Sequence, residues 1–171
     1  LMPFVMVAAP LAMVYVCGHP VEAATGAIQW HIVAMFAPSF ITGALIRRLG
    51  AHLVTGLGLI LILGCAATAL NGISIMHFDI ALILLGVGWN FGFIGSTALL
   101  TSAYRPEEAA RAQGLNEQLV FGVMAIASIG SGLLLQLIGW EAINLMVIPI
   151  ATGVILLLAW GEYQQRKLRA D

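Results

Sequence analysis

Six apolar stretches follow one another along the chain, and short polar connections separate them. A helix that crosses a bilayer needs about 20 mostly apolar residues, and all but the first stretch reach that length. Runs such as LGLILILGCAATAL show none of the apolar–polar alternation of barrel strands. The pattern predicts an all-α membrane protein with six transmembrane helices, at about residues 1–17, 22–46, 52–71, 78–103, 113–138 and 141–160.

The composition supports a lipid environment. Of the 171 residues, 61% are hydrophobic and only 9% are charged, whereas a soluble domain carries about 25% charged residues. Leu1 lies inside an apolar run with no basic residue before it, so we expect a helix cut at its N-terminus rather than a signal peptide. The net charge of -1 gives no indication of a nucleic-acid partner.

The seven basic residues predict the orientation of the helices. In a six-helix arrangement they all fall on one face, while the connections GHPVE, NGISIMH and IGW carry none. Basic residues concentrate on the cytoplasmic side, so we expect the polar tail, residues 161–171, in the cytoplasm. The basic residues are Arg47 and Arg48, then Arg105 and Arg111, then Arg166, Lys167 and Arg169.

Polar side chains inside the second, fourth and fifth stretches are the candidates for a substrate pathway. A polar group at bilayer depth is costly unless it meets a partner or water, so it faces the interior of the helix bundle. The alternative for each is a hydrogen bond between helices. The candidate pathway residues are His31, Gln29, Trp89, Asn90, Ser128 and Ser131.

Glu117 is a candidate for coupling transport to protons or ions, because it is the only carboxylate within a predicted membrane segment away from the outer end of that segment. It lies about one turn inside the cytoplasmic end of its helix. A structural role, in which it pairs with Arg111 or Arg105, is the alternative.

Helix geometry adds two expectations. Gly88, Gly92 and Gly95 fall on the face opposite Asn90, and small residues at this spacing allow close helix packing. Pro38 should kink the second helix because it lacks a backbone donor. Gln29 and His31 cannot both point into one cavity from a straight helix.

The sequence contains no motif for catalysis or for binding a cofactor or metal. HExxH, GxSxG and Walker sequences are absent. Cys17 and Cys65 lie in apolar surroundings without neighbouring metal ligands, as small buried hydrophobic residues do. We therefore expect no enzyme, no cofactor and no metal site.

Three segments resemble the major facilitator superfamily. In GALIRRLGAH, Gly43, Arg48 and Gly50 match the cytoplasmic loop signature of that family, while Arg47 replaces its Asp. The segments QWHIVAMFAPSFITG and SAYRPEEAARAQGLNEQLVFG look like the eighth helix and the tenth–eleventh loop of bacterial efflux-permease and riboflavin-transporter-like members.

This resemblance implies a half-bundle made of the seventh to twelfth helices, in two inverted three-helix repeats at about 1–71 and 78–160. The parent protein would move an unknown small solute across the bacterial inner membrane by alternating access. Its partner would be a missing N-terminal six-helix bundle. The cytoplasmic gate would include Gly43, Arg47, Arg48 and Gly50. A half-size transporter that forms homodimers and a non-transporting membrane assembly subunit remain the alternatives.

Overall fold

The computed structural model describes residues 1–170, without the side chains of residues 165, 166 and 168–170. Arg166, Arg169 and Asp171 of the expected tail therefore lie outside the described side chains. The described chain is helical almost throughout. Its elements are α1 (Met2–Leu11), which continues as a π-helix (Ala12–Val16), α2 (Val21–Phe36), α3 (Ser39–Leu49), α4 (Ala51–Asn71), α5 (Ile75–Thr101), a short 3₁₀-helix (Pro106–Glu108) and α6 (Ala109–Ala170).

Gly139 divides α6 into two parts. Its φ of 80° and ψ of 173° interrupt a helix that otherwise runs for 62 residues. A positive φ is accessible to glycine because it has no Cβ. The break separates segment 109–138 from segment 140–170, close to the boundary that the hydrophobic pattern predicts.

Pro38 separates α2 from α3, which meet at an angle of 43°. The expected kink is therefore confirmed. A proline inside a helix removes a backbone donor and clashes with the preceding turn, so the chain bends there. The second apolar stretch is one bent unit of two helices rather than a straight helix.

The helices have the length and polarity of membrane spans. Within the described residues, α4, α5 and the long helix that includes α6 each qualify, and the bent pair α2–α3 would make a fourth span. The apolar helix Met2–Val16 is shorter. Many large apolar side chains are exposed, including Phe40, Ile129 and Leu137. Lipid is the solvent that such a surface requires, so this is a multi-pass α-helical membrane protein.

Close contacts between α4 and α5 explain two glycines of α5, Gly88 and Gly95. A Cβ at Gly88 would lie 2.7 Å from the carbonyl oxygen of Gly58, and one at Gly95 would meet Thr55. Gly58 approaches equally closely, since its Cβ would lie 2.6 Å from the backbone nitrogen of Gly92. The expected packing face is confirmed at Gly88 and Gly95, where only glycine allows the two helices to come this near. Gly92 lies on the same face and is approached by Gly58, but a Cβ at Gly92 itself would meet nothing within 4 Å.

The three connections that carry no Lys or Arg meet at one end of the bundle. His19 Nε2 donates to the Ile73 carbonyl over 2.7 Å and joins the α1–α2 connection to the α4–α5 connection. The ring of Phe78 contacts both His19 and Trp140, with centroids 6.1 and 5.1 Å apart. Because Trp140 follows Gly139 directly, the break in α6 belongs to this end as well. The clustering agrees with the helix arrangement that the basic residues predict.

Candidate substrate cavity

A cavity of about 360 Å³ lies where the α2–α3 bend faces α5 and segment 109–138. We call it the hinge cavity. Most of its lining is apolar and aromatic. Ser39 contributes a hydroxyl and Asn90 an amide, and Trp89 carries an indole N–H. Its lining includes Met35, Phe36, Ser39, Trp89, Asn90, Phe93, Phe121 and Met124.

Trp89 and Phe93 form the aromatic wall of this cavity. The two residues are one helical turn apart on α5, a spacing that places side chains side by side. Their ring centroids are 5.3 Å apart and their planes differ by 21°, which is a stacked arrangement. Two aromatic side chains that α5 holds together therefore line this side of the cavity.

Asn90 connects the cavity to the bend. Its Nδ2 donates to the Met35 carbonyl over 2.9 Å and to Ser39 Oγ over 2.6 Å. Its Oδ1 accepts from Thr42 Oγ1 over 2.6 Å, and that hydroxyl also lies 2.8 Å from the Pro38 carbonyl. Asn90 is only 4% exposed. Both amide hydrogens and the amide oxygen are therefore committed to the residues around Pro38.

Ser39 offers a free donor to the cavity. It begins α3 and is exposed, and its oxygen accepts from Asn90. Within the described part of the chain, its own proton is given to no acceptor. A hydroxyl can donate once while it accepts, so Ser39 can still bind a hydrogen-bond acceptor inside the cavity.

A second cavity, of about 470 Å³, lies on the α4 side of the same aromatic pair. It shares Trp89, Phe93 and Met124 with the hinge cavity and adds Thr55 and Ser96. Both hydroxyls donate to carbonyls of their own helices. This cavity consequently offers fewer free polar groups than the hinge cavity.

His31 is fully buried but lines neither cavity. Its Nδ1 donates to the Leu82 carbonyl over 2.8 Å and so ties α2 to α5. Its Nε2 is buried without a partner among the described residues. The expectation that Gln29 and His31 point to different places is confirmed, since Gln29 is exposed and lines a separate groove between α1 and α2.

The two serines of the expected pathway have different surroundings. Ser128 is exposed on segment 109–138. Ser131 is fully buried, and its hydroxyl donates to the Phe4 carbonyl of α1 over 3.1 Å. The structure therefore brings Trp89 and Asn90 together at the hinge cavity and places the other four candidates elsewhere. Their assignment to the pathway stays a prediction.

The candidate gate residues lie at the end of α3. Arg47 and Arg48 are exposed in its last turn, and Gly43 is exposed on the same helix. Gly50, with a φ of 86°, makes the turn into α4. This turn requires a conformation that L side chains rarely adopt, which explains the glycine there.

Glu117 is exposed on segment 109–138. No ion pair joins it to Arg105 or Arg111 in the described part of the chain, so the pairing that we considered as its structural role is not formed here. Its coupling role stays a prediction. Over the same residues, no three His, Cys, Asp or Glu side chains converge as a metal site would require.

Part of the cavity lining is not predicted by the polar residues of the sequence. Phe36, Phe93 and Met124 line the cavity with apolar side chains, and Ser39 lines it at the start of the helix that follows the bend. The i, i+4 pair of aromatic residues in WNFGF, together with the proline three residues after Met35, was the available signal. Asn144 was also missed. It is fully buried, and its Nδ2 donates to the Trp140 carbonyl over 2.9 Å.

The fold and the cavity define a class of protein, namely a polytopic α-helical membrane protein with a cavity between its helices. Comparisons with known proteins agree. The chain is 54% identical over 155 residues to the riboflavin transporter RfnT of Brucella anthropi, which covers 91% of this chain and 39% of that protein. It is 34% identical over 147 residues to the uncharacterized MFS-type transporter YdeG of Bacillus subtilis, covering 85% and 34% respectively.

A more distant relative is the methylenomycin A resistance protein of Bacillus subtilis, 27% identical over 133 residues, covering 77% of this chain and 28% of that protein. No family model matches the chain, and no solved structure matches it. The chain belongs to the major facilitator superfamily of transporters, as its resemblance predicts. It spans about two fifths of the length of the riboflavin transporter and about one third of YdeG.

Proposed function

We propose that this chain forms half of a secondary transporter that moves a flat heteroaromatic solute, with riboflavin as the first candidate. The carrying observation is the stacked pair Trp89–Phe93 in the wall of the hinge cavity, in a chain 54% identical to a riboflavin transporter. Riboflavin carries a planar tricyclic ring and a polyol chain. An aromatic wall binds the former through stacking.

The size and lining of the cavity support this proposal. Ligand pockets have volumes of about 300–1,000 Å³ and combine apolar walls with a few placed polar groups. The hinge cavity has a volume of about 360 Å³ and presents the Ser39 hydroxyl as a free donor. The other half of the transporter would supply the remaining wall.

The proposed arrangement has six spans. They are Met2–Val16, the bent pair α2–α3, α4, α5, segment 109–138 and segment 140–164. The break at Gly139 supports counting the last two separately, because a single straight span of 59 residues would exceed any bilayer. Inverted repeats at about 1–71 and 78–160 follow from the family architecture.

The orientation rests on charge. Arg47, Arg48, Arg105 and Arg111 lie at or near the helix ends opposite to those that the connections containing His19 and Ile73 join. The positive-inside rule places these basic connections, and the C-terminus, in the cytoplasm of a bacterial cell. Reagents that cannot cross the membrane should label a cysteine at position 105 only from the cytoplasmic side and one at position 73 only from outside.

Alternating access would then use the bend at Pro38. The α3 helix carries Arg47 and Arg48 at the far end from the hinge cavity, so a change of angle at Pro38 moves the candidate gate. Transporters often have broken helices beside their binding sites.

The test is transport by the full-length protein whose reading frame contains this chain. We expect a bacterial strain that cannot synthesise riboflavin to grow on low external riboflavin when it expresses this protein. Uptake of labelled riboflavin, with and without a pH gradient, then reports on proton coupling, and a Glu117→Gln variant tests the proposed coupling residue. Absence of riboflavin transport in either direction would contradict the proposed cargo.

Two rival arrangements have distinct signatures. For a half-size homodimer, the reading frame would encode no further six-helix bundle, and the purified protein would have the mass of a dimer. A non-transporting assembly subunit would move no solute in reconstituted vesicles and would copurify with a larger complex.

A further inference from the structure

We infer that the hinge cavity contains a stacking subsite with one oriented donor, built for a flat heteroaromatic ring that carries a hydrogen-bond acceptor at its edge. Trp89 and Phe93 form the stacking surface, Ser39 supplies the donor, and Asn90 is a positioning residue that acts through Ser39. The inference rests on the proposed function, which it deepens by assigning the residues that recognise the ring.

The Ser39 hydroxyl is oriented by its hydrogen bond with Asn90. Asn90 Nδ2 lies 2.6 Å from Ser39 Oγ and donates to it. That bond occupies a lone pair of the hydroxyl and limits its rotation, so the hydroxyl hydrogen is directed away from Asn90. Because no described residue accepts this hydrogen and Ser39 lines the cavity, the donor is available to an occupant.

The buried amide of Asn90 is fixed in place. Asn90 is held on three sides, by Met35, Ser39 and Thr42, so it cannot turn its amide toward an occupant without losing those bonds. Its contribution to binding is therefore indirect. A donor fixed in advance binds more tightly than a freely rotating one, since less freedom is lost on binding.

Trp89 and Phe93 provide the stacking surface of the subsite. Trp89 and Phe93 lie on the helix that also carries Asn90, and their stacked rings line the same cavity. Stacking on aromatic side chains tolerates any flat ring. The Ser39 hydroxyl selects among such rings, because it can donate only to a ring that has a hydrogen-bond acceptor within reach. Met35 and Met124 add polarizable contacts suited to aromatic ligands.

The experiment measures binding to the purified full-length protein by the quenching of flavin fluorescence. The probes are riboflavin and lumiflavin, which retains the ring but lacks the polyol chain, and ribitol serves as a competitor without a ring. We expect Trp89→Leu to weaken both flavins about ten-fold or more, and Trp89→Phe to restore most of the affinity. Trp160→Leu, at an exposed tryptophan of segment 140–170, is the matched control. Ribitol should not compete.

The second arm tests the donor. Ser39→Ala should weaken both flavins about three- to ten-fold, whereas Ser102→Ala, at an exposed serine bonded to its own helix, should leave the affinity unchanged. Asn90→Ala should weaken binding at least as much as Ser39→Ala does, and its effect should be clearly smaller in the Ser39→Ala background. A purely structural Asn90 would instead lower affinity equally in both backgrounds.

The outcomes separate the subsite from the cargo. If the Trp89→Leu and Ser39→Ala variants both bound riboflavin as tightly as the wild-type protein does, the subsite would be overturned and the proposed function would stand. Binding of lumiflavin alone, with the same dependence on Trp89 and Ser39, would support the subsite and remove riboflavin as cargo. Failure of the wild-type protein to bind either flavin would overturn both.

Discussion

The side-chain nitrogen of Asn90 lies 2.9 Å from the carbonyl oxygen of Met35, on a different helix. Pro38 interrupts the regular backbone hydrogen bonds near this carbonyl, and α5 supplies a donor from outside. The same amide bonds to Ser39 and Thr42 on the other side of the bend. One residue of α5 thus stabilises both helices that meet at Pro38.

Removal of this amide should destabilise the protein. In Asn90→Ala, the Met35 carbonyl and the Thr42 hydroxyl lose a partner at a buried position. Hydrogen bonds between membrane helices contribute about 1–2 kcal/mol at most, so we expect a loss of that order and a lower Tm. Thermal unfolding of the purified full-length protein measures it.

Thr97→Ala is the matched control for this variant. Thr97 lies on the same helix, but its hydroxyl donates only to the Phe93 carbonyl one turn before it. We expect its Tm to stay close to that of the wild type. Equal losses for Asn90→Ala and Thr97→Ala would show that the bend does not depend on Asn90.

Gly58→Ala should separate α4 from α5. The added methyl group would lie 2.6 Å from the Gly92 nitrogen and 2.7 Å from the Gly88 carbonyl oxygen, and backbone atoms cannot yield as a flexible side chain can. Overpacking of this kind costs about 1–3 kcal/mol. A lower Tm and a smaller yield of monodisperse protein are the expected results.

Gly56→Ala provides the comparison on the same helix, since its methyl group would meet nothing within 4 Å. Alanine is favoured over glycine inside a helix, so this variant should be as stable as the wild type or slightly more so. If Gly58→Ala were equally well tolerated, the close α4–α5 contact would be wrong.

The sequence predicts the helices well because bilayer thickness imposes their length. The kink at Pro38 and the boundary near Gly139 follow from proline and glycine chemistry. Residues 12–16 form a π-helix between Pro10 and Gly18, with backbone bonds from Cys17 to Ala12 and from His19 to Met13. The hydrophobic pattern does not distinguish this turn from an α-helix.

The cavity is harder to predict from sequence, because a polar residue at bilayer depth can serve packing or transport. Asn90 and Ser131 donate hydrogen bonds to backbone carbonyls of other helices, although from sequence both are polar residues that could equally line a substrate pathway. Phe93 and Met124 line the cavity although nothing polar marks them. Ser39 follows the bend at Pro38 and lies beside Asn90 of α5, a contact between distant parts of the sequence that no local pattern predicts.

His19 should stabilise the end of the bundle that lacks Lys and Arg. Its bond to the Ile73 carbonyl links two connections that are 54 positions apart in sequence. His19→Ala should lower the free energy of unfolding by about 0.5–1.5 kcal/mol, whereas His52→Ala, at a half-buried histidine, should change it little. Thermal unfolding separates the two, and equal Tm values would contradict the proposed role of His19.

Cysteines at positions 128 and 131 should differ sharply in reactivity. The two serines are three residues apart on one helix, about 4.5 Å in depth, yet Ser128 is exposed and Ser131 is fully buried against α1. In a full-length protein with Cys17 and Cys65 replaced by Ala, Ser128→Cys should react with maleimides and Ser131→Cys should not.

The choice of reagent tests whether Ser128 belongs to the pathway. Labelling of position 128 by a hydrophilic reagent, reduced when riboflavin is present, would support a place for Ser128 in the pathway. Labelling by lipophilic reagents alone would place it against lipid. Comparable labelling of position 131 would contradict the packing of α1 on segment 109–138.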